Sequence, residues 1–466
     1  MRERMRRFVH KSNRDYSPLQ LFSPGVFGFW HDYTDPSTWF QDTAGTTPSA
    51  TLGDPVGRVN DKSGNGVTGL QSVSAARPTR GRMPLGGVRN RMLRTSEFTN
   101  SYWDAASFGA SVSANTTTAP DGTLTADSLI ENSANSVHLL RTTSLVTQFI
   151  AGLPYTQSWH LKANGRTKAL ISFADSSFPG AARTATFDLS AETATPVGGG
   201  TATITSVGDG WFRCSYTQTA DATDANNYSG LVELLGAAGT ATYLGDGVSG
   251  MYIWGSQLEQ ASEASAYQKV VQAYDVTESG VASVDCLWFD GADDYLDLTA
   301  TGAGLVRNTG RFTMFGAAVF TSALSTSRTI FTASTGNSTS NTRAIIRGQS
   351  SNLIGAQGRR LDADAIDGPT YAASMYSPII MSGVLDYAGA LAYLRKDGAL
   401  VATDSAFQTA GNTPDTDSMA VRVGEVSAVY YNGFISGIIA VKGATLSDAQ
   451  LRQTELYLAN QIGVTI

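Results

Sequence analysis

The feature that most constrains this chain is its punctuation. The pieces WHLKA, ALISFA, ATFDLS, TATITSV, WFRCSYTQT, GLVELLG and MYIWGSQLE follow one another between clusters of Gly, Asp, Asn and Pro. Farther on, CLWFDG, YLDLTA, RFTMFGAAVF, RTIFTAS, RAIIRGQ, PIIMSGVLDY, LAYLRKDGALVAT, MAVRVGE and GFISGIIAVKG repeat the texture. Apolar runs this short, recurring every 8–15 residues or so with no long helical period, are strands of a β-sandwich. Composition agrees: charged residues make up 16 % of the chain and Gly supplies 48 residues, which suits turns and sheets more than solvated helices. The expected fold is all-β, with two β-sandwich domains.

One segment breaks the pattern. In TLSDAQLRQTELYLANQIG, Ser447 is placed to cap a helix with Gln450 three residues later, and Gly463 to stop it. Leu451, Leu458 and Ile462 share a face, as a helix lying on a sheet requires. Residues 77–94, RPTRGRMPLGGVRNRMLR, carry no periodicity and read as a connector.

Charge is unevenly spread. The first 94 residues hold 14 Lys and Arg against 7 Asp and Glu, although the whole chain has a net charge of −7. An acidic body is a poor partner for nucleic acid, which calls for a basic footprint. The basic front end, with Arg2, Arg4, Arg6, Arg7, Lys11 and Arg14, is expected to be an arm that attaches the protein to a larger assembly. No run approaches the roughly 18 apolar residues of a membrane span, so no membrane insertion is expected. The N-terminus lacks the apolar centre of a signal peptide, so secretion by the general route is not expected either. Cys214 and Cys286 lie in strand-like runs and read as buried thiols.

No H-E-x-x-H, G-x-S-x-G or P-loop occurs, and no catalytic residue is assigned. Glycosidase carboxylates pair in space and not in sequence, so a depolymerase stays open. In LWFDGADDYLDL, Asp290, Asp293, Asp294 and Asp297 crowd a stretch that reads as a hairpin turning at Asp290-Gly291. Leu296 and Leu298 would face one way, Tyr295 and Asp297 the other. The aspartates are expected to be structural, with calcium the one cofactor their hard oxygens could hold.

Period-two alternation points to a different kind of site. Phe212, Cys214 and Tyr216 fall on one face of their strand, with Trp211 and Arg213 on the other. In the same way Trp159 and Leu161 oppose His160 and Lys162, Val232 and Leu234 oppose Glu233, and Met251 and Ile253 oppose Tyr252 and Trp254. With the aliphatic faces inward, His160, Lys162, Trp211, Arg213, Glu233, Tyr252 and Trp254 face out. Flat rings beside charged hydrogen-bonding groups suit carbohydrate.

Longer motifs carry a resemblance. FDGADDYL at 289–296 is similar to a signature of laminin-G-like, concanavalin A-like jelly rolls, as are DKSGNG at 61–66, YLRKDG at 393–398, the family's usual hairpin with its turn at Asp397-Gly398, and the closing GFISGIIAVKGATLSDAQL. In this chain the first two lie more than two hundred residues apart. The intervening LRTSEFTNSYWDAA, APDGTLTADSLIE, GDGWFRCS and YIWGSQLE resemble the carbohydrate-binding-type sandwich of phage virion proteins, and GFWHDYTDPSTWFQDTAGTTP resembles structural proteins carrying both domains. As a class the chain resembles head spike fibres of tailed phages and gene transfer agents, with tail fibres close behind.

The resemblance implies an arm over 1–24, a split jelly roll over 25–90 and 268–466, and a carbohydrate-binding-type insert over 91–267. It implies a virion surface fibre that adsorbs to host capsular or surface polysaccharide, assembled in the host cytoplasm and freed by lysis. Its partners would be that polysaccharide and, through the N-terminus, other virion proteins, with a homo-oligomer the usual state on a symmetric particle. A ligand-free decoration or collar protein is the alternative.

Overall fold

A computed structural model describes residues 16–143, 145–174, 177–178, 183–321, 326–336, 341–373 and 376–466. Arg2, Arg4, Arg6, Arg7, Lys11 and Arg14 of the expected arm lie outside the described residues. The chain folds as two compact units. One joins the residues up to Val88 with Ala282–Ile466, and the other is Arg89–Val281. Both are β-sandwiches.

In the first unit, one sheet contains, in spatial order, Thr79–Pro84, Ser283–Asp290, Asn432–Lys442, Phe312–Phe320, Pro378–Asp386, Leu391–Lys396 and Ala399–Asp404. Asn432–Lys442 is its spine. The first half of that strand pairs with Ser283–Asp290 and the second half, from Gly437, with Gly28–Asp32. The facing sheet runs Trp39–Phe40, Arg58–Val59, Gly69–Leu70, Leu296–Asp297, Ala420–Val423, Arg328–Ser334, Thr342–Gln349, Leu353–Gly358 and Thr370–Ala372. Phe29, Leu287, Phe289, Leu296, Phe331, Ile346 and Ile435 meet in a buried core.

The DKSGNG signature pins the first strand to this core. Asp61 Oδ1 accepts from Trp30 N at 2.9 Å and Ser63 N at 2.8 Å, while Oδ2 accepts from Val67 N at 3.0 Å. Asn65 Nδ2 donates to Gly28 O at 3.1 Å. Four backbone groups that a short loop would leave unpaired are thereby satisfied.

Two sequence expectations are corrected here. FDGADDYL is not a hairpin. Ser283–Asp290 belongs to one sheet and Leu296–Asp297 to the other, so the aspartates lie where the chain crosses the sandwich. The alternation survives: Leu296 and Leu298 are buried, while Tyr295 and Asp297 are partly exposed. Residues 77–94 are not a connector either, because Thr79–Pro84 is a strand paired with Ser283–Asp290. Its alternating Arg80 and Arg82 hid a strand whose buried members are Gly81, Met83 and Pro84.

Other local expectations hold. Lys396 pairs with Ala399 across Asp397-Gly398, whose φ values of 48° and 79° are those of a two-residue hairpin turn. The helix spans Asp448–Gln461 with Ser447 and Gln450 forming a capping box, and Leu451 and Leu458 are buried. Both cysteines are free and buried. Among the described residues no helix is long and apolar enough to cross a membrane.

The second unit packs two sheets. One runs Thr193–Val197, Thr184–Asp188, Lys168–Ala174, Asp224–Leu235, His138–Thr142 and Trp103–Asp104, with Leu145–Phe149 also pairing to Asp224–Leu235. The other runs Thr201–Gly208, Trp211–Thr219, Pro154–Asn164, Gly250–Glu259, Ala126–Glu131 and Ala110–Thr117. Trp159 lies between them, 5.5 Å from the Phe98 ring and 5.4 Å from that of Trp103.

This unit ends at Val281 and not at 267. Gln268 N donates to Gln257 Oε1 at 2.8 Å, Val270 N to Thr95 Oγ1 at 3.0 Å, and Asn90 Nδ2 to Gln268 O at 2.9 Å. These bonds tie residues 268–270 to the insert. They involve polar side chains spread along the sequence, which no periodicity reveals.

Candidate functional site

The outer face of the second sheet gathers six of the seven expected binding residues. Lys162 stands opposite Trp211 on one side and Tyr252 on the other, and His160 opposite Arg213 and Trp254. Glu233 is the exception. It lies on the Asp224–Leu235 strand of the opposite sheet and is 8 % exposed.

Trp211 and Trp254 do point away from the core, yet they form no exposed platform. Trp211 is 1 % and Trp254 4 % exposed. The segment from Thr118 to Thr125 folds back over them. Trp211 Nε1 donates to Thr118 O at 3.0 Å and Trp254 Nε1 to Thr125 Oγ1 at 3.1 Å, with Ala119 and Ala126 packed on the rings. The roof is closed on itself by Ala119 N donating to Thr123 O at 2.8 Å. Alternation reports which side of a strand a residue takes, and cannot see a loop laid over that side.

His160 is sealed in the same layer, its ring 5.1 Å from that of Trp254. Burial, then the Arg213 charge, push its pKa down to about 4, so it is neutral at pH 7. Lys162, Arg213 and Tyr252 remain partly exposed. Trp254 keeps one edge on a cavity of about 600 Å³ that Asp121, Tyr267 and Lys269 also line.

Beyond the roof the same face opens into a groove of about 390 Å³, lined by Thr201, Thr203, Thr205, Val207, Arg213, Ser215, Thr217, Ser262, Glu263 and Ala264. Register explains its floor. Thr201 pairs with Thr217, Thr203 with Ser215 and Thr205 with Arg213, so each rung presents two polar side chains. Thr203 and Ser215 share a hydrogen bond of 2.6 Å, and Thr217 another of 2.7 Å with Thr156 on the next strand. The alternating threonines of TATITSV are the signal for this floor. Reading that run as a strand, without asking what its outer residues offer, passed over it.

Among the described residues Arg213 is the one cation on the floor. Its Nη2 donates to Ser158 Oγ at 3.0 Å, while its buried Nε–H has no partner among the described residues. Burial lowers its pKa, and the charges of Glu259 and Tyr267 offset only part of that. That Glu259 carboxylate already accepts from Gln257 Nε2 at 2.6 Å, Ser265 N at 2.9 Å and Ser265 Oγ at 2.5 Å. The groove can therefore donate to and accept from hydroxyls along its length, with one guanidinium at its end.

The first unit holds a second polar cluster. Ligand atoms of Asp290, Asp293 and Asp294 lie within 4.8 Å of one another. Asp290 Oδ1 accepts from Ala292 N at 2.7 Å and Asp294 Oδ2 from Asp290 N at 2.9 Å, which is turn chemistry. The three carboxylates are hard oxygen donors of the kind calcium takes.

No family model matches the chain, and no curated protein matches it. Partial likenesses exist among solved structures. The CBM40 of Ruminococcus gnavus IT-sialidase bound to alpha2,3 sialyllactose is 17 % identical over 36 % of this chain and 95 % of that one, with a TM-score of 0.31. The NanB sialidase from Streptococcus pneumoniae is 14 % identical over 34 % of this chain and 26 % of that one, with a TM-score of 0.28. The binding domain of Botulinum neurotoxin DC in complex with rat synaptotagmin II is 10 % identical over 42 % of this chain and 46 % of that one, with a TM-score of 0.26. At these identities and TM-scores the likeness assigns neither ligand nor activity to this chain.

Proposed function

We propose that the protein is a surface fibre or spike of a phage or gene transfer agent particle that binds host capsular or surface polysaccharide. The groove over Thr201–Gly208 and Trp211–Thr219 carries the binding half of this reading. It is shallow, lined by hydroxyls on three consecutive rungs, and ends in a guanidinium, which matches a ligand that is itself a row of hydroxyls. The particle half rests on the resemblance of GDGWFRCS, YIWGSQLE and GFWHDYTDPSTWFQDTAGTTP to phage virion proteins. The basic residues Arg2 to Arg14 are proposed as the particle-attachment point, facing other virion proteins.

The binding half is tested by filling the groove. Thr203 is exposed, so Thr203→Trp should leave folding intact while blocking the floor. Retention of the full chain on immobilised capsule should fall to background in the variant. Equal retention of both proteins would place the glycan elsewhere. Antibody labelling of negatively stained particles tests the other half, with label at a spike or fibre expected.

A further inference from the structure

We infer that the groove selects an acidic polysaccharide, with a sugar carboxylate seated on Arg213. This rests on the glycan-binding reading and names its substrate class. A guanidinium offers five N–H donors in a fixed fork, whose natural complement is a planar carboxylate bound by two parallel hydrogen bonds. At Arg213 the hydroxyl of Ser158 takes one Nη2 donor and the Nε–H is buried, so the remaining Nη donors are the ones that face a ligand on this partly exposed side chain. Nor is Arg213 in an ion pair among them, because the nearby Glu259 is held by Gln257 and Ser265.

Leaving a charge partly desolvated and under-bonded costs stability unless an anion completes it. The side chain is also held in place by its surroundings. His160 stands opposite it in register and is neutral, so it offers no competing positive charge. Thr205 stands opposite on the other flank, exposed, with a hydroxyl placed to bond the sugar ring that carries the acid. Along the floor, Thr203, Ser215, Thr201 and Thr217 then meet the hydroxyls of neighbouring sugars. Glu263 on the groove wall is exposed and opposes an acidic ligand, which sets the sign of a second test.

The experiment uses the full chain and four polyanions: polygalacturonate, alginate, hyaluronate and polysialic acid, each beside its carboxyl-reduced form. At least one acidic chain should be retained, and its reduced form should bind roughly 10- to 100-fold more weakly, the scale of a charge-assisted hydrogen-bond pair. Arg213→Gln should lose the same factor toward the acidic chain only. Arg213→Lys, which keeps the charge without the fork, should lose less. Glu263→Gln, at an exposed site that folding does not need, should bind the acidic chain more tightly, with the gain shrinking as salt rises. If carboxyl-reduced chains bind as well as their parents and Thr203→Trp abolishes both, the glycan groove stands and the acidic preference is overturned. Retention of an acidic chain unchanged by Arg213→Gln and Glu263→Gln also overturns it. If none of the eight polysaccharides is retained, both readings fall.

Discussion

Two single residues carry consequences that can be measured directly. Trp211 has a direction readable from alternation but a burial set by the Thr118–Thr125 roof, so its role is packing. Trp211→Ala should cost about 3–5 kcal/mol of stability, as expected for a buried ring left as a cavity. Its glycan binding should fall only where the protein melts. A variant that loses binding at full stability would return Trp211 to the ligand. Asp294 is the second case. Burial raises its pKa, the Asp290 N–H lowers it, and the Asp290 and Asp293 charges raise it again, leaving it at about 8. In the unfolded chain an aspartate releases its proton near 3.9. Between roughly pH 4 and pH 8 the folded state therefore keeps a proton that the unfolded state has lost. Stability from this group is full below that window, declines as pH rises through it, and is gone above about pH 8. Asp294→Asn keeps an acceptor for the Asp290 N–H and should flatten the decline in urea midpoints taken at pH 5, 7 and 9. Calcium added at pH 9 tests the other use of these carboxylates. An ion on the cluster would raise the midpoint of the native chain and not that of Asp294→Asn.

At the scale of elements, legibility followed the range of the forces involved. The C-terminal helix was readable because its cap, its apolar face and its stop lie within 19 residues. Its buried anchor was not. Glu455 accepts from Arg395 Nε at 2.7 Å and from Ser382 Oγ at 2.5 Å, both on strands far away in sequence. The same contrast separates the two turns rich in Asp and Gly. Asp397-Gly398 joins neighbouring strands of one sheet and was read correctly as a hairpin. Asp290-Gly291 has the same chemistry, but its flanking strands belong to different sheets. Gly291 is needed there for its φ of 79° and because a Cβ would sit 2.6 Å from Asn432 Nδ2, on the neighbour of the strand that the crossing leaves. Local sequence specifies that a turn occurs. Which sheet each arm joins depends on partners more than a hundred residues away. The outer face of the Trp211–Thr219 strand shows the same limit. Two-residue periodicity placed Arg213 outward, and only the tertiary fold shows that Arg213 opens on a groove while Trp211, two residues earlier, is roofed.

At the scale of the whole molecule, the distance between DKSGNG and FDGADDYL implied that one sandwich interrupts another in the chain, and the two compact units divide the sequence in that order. The position of the cut is the finer question, and it decides whether the insert can stand alone. Within the second unit the two ends are fastened to each other. Arg89 Nη2 is 2.8 Å from Glu278 Oε2, and Arg89 N donates to Gln268 Oε1 at 2.7 Å. Asn90 accepts from Leu258 N at 3.1 Å while donating to Gln268 O and Ser256 O. A fragment of residues 89–281 keeps every one of these bonds, and a fragment of 91–267 keeps none. Buried hydrogen bonds contribute about 0.5–1.5 kcal/mol each, so the shorter fragment should be less stable by several kcal/mol. Urea unfolding of both fragments provides the measurement. The longer one should unfold in a single cooperative transition at a clearly higher midpoint. Coincident midpoints would show that the Gln268–Gln272 and Asp275–Glu278 strands add nothing to the insert. A broad, non-cooperative transition for 89–281 would show instead that this sandwich needs the rest of the chain to fold.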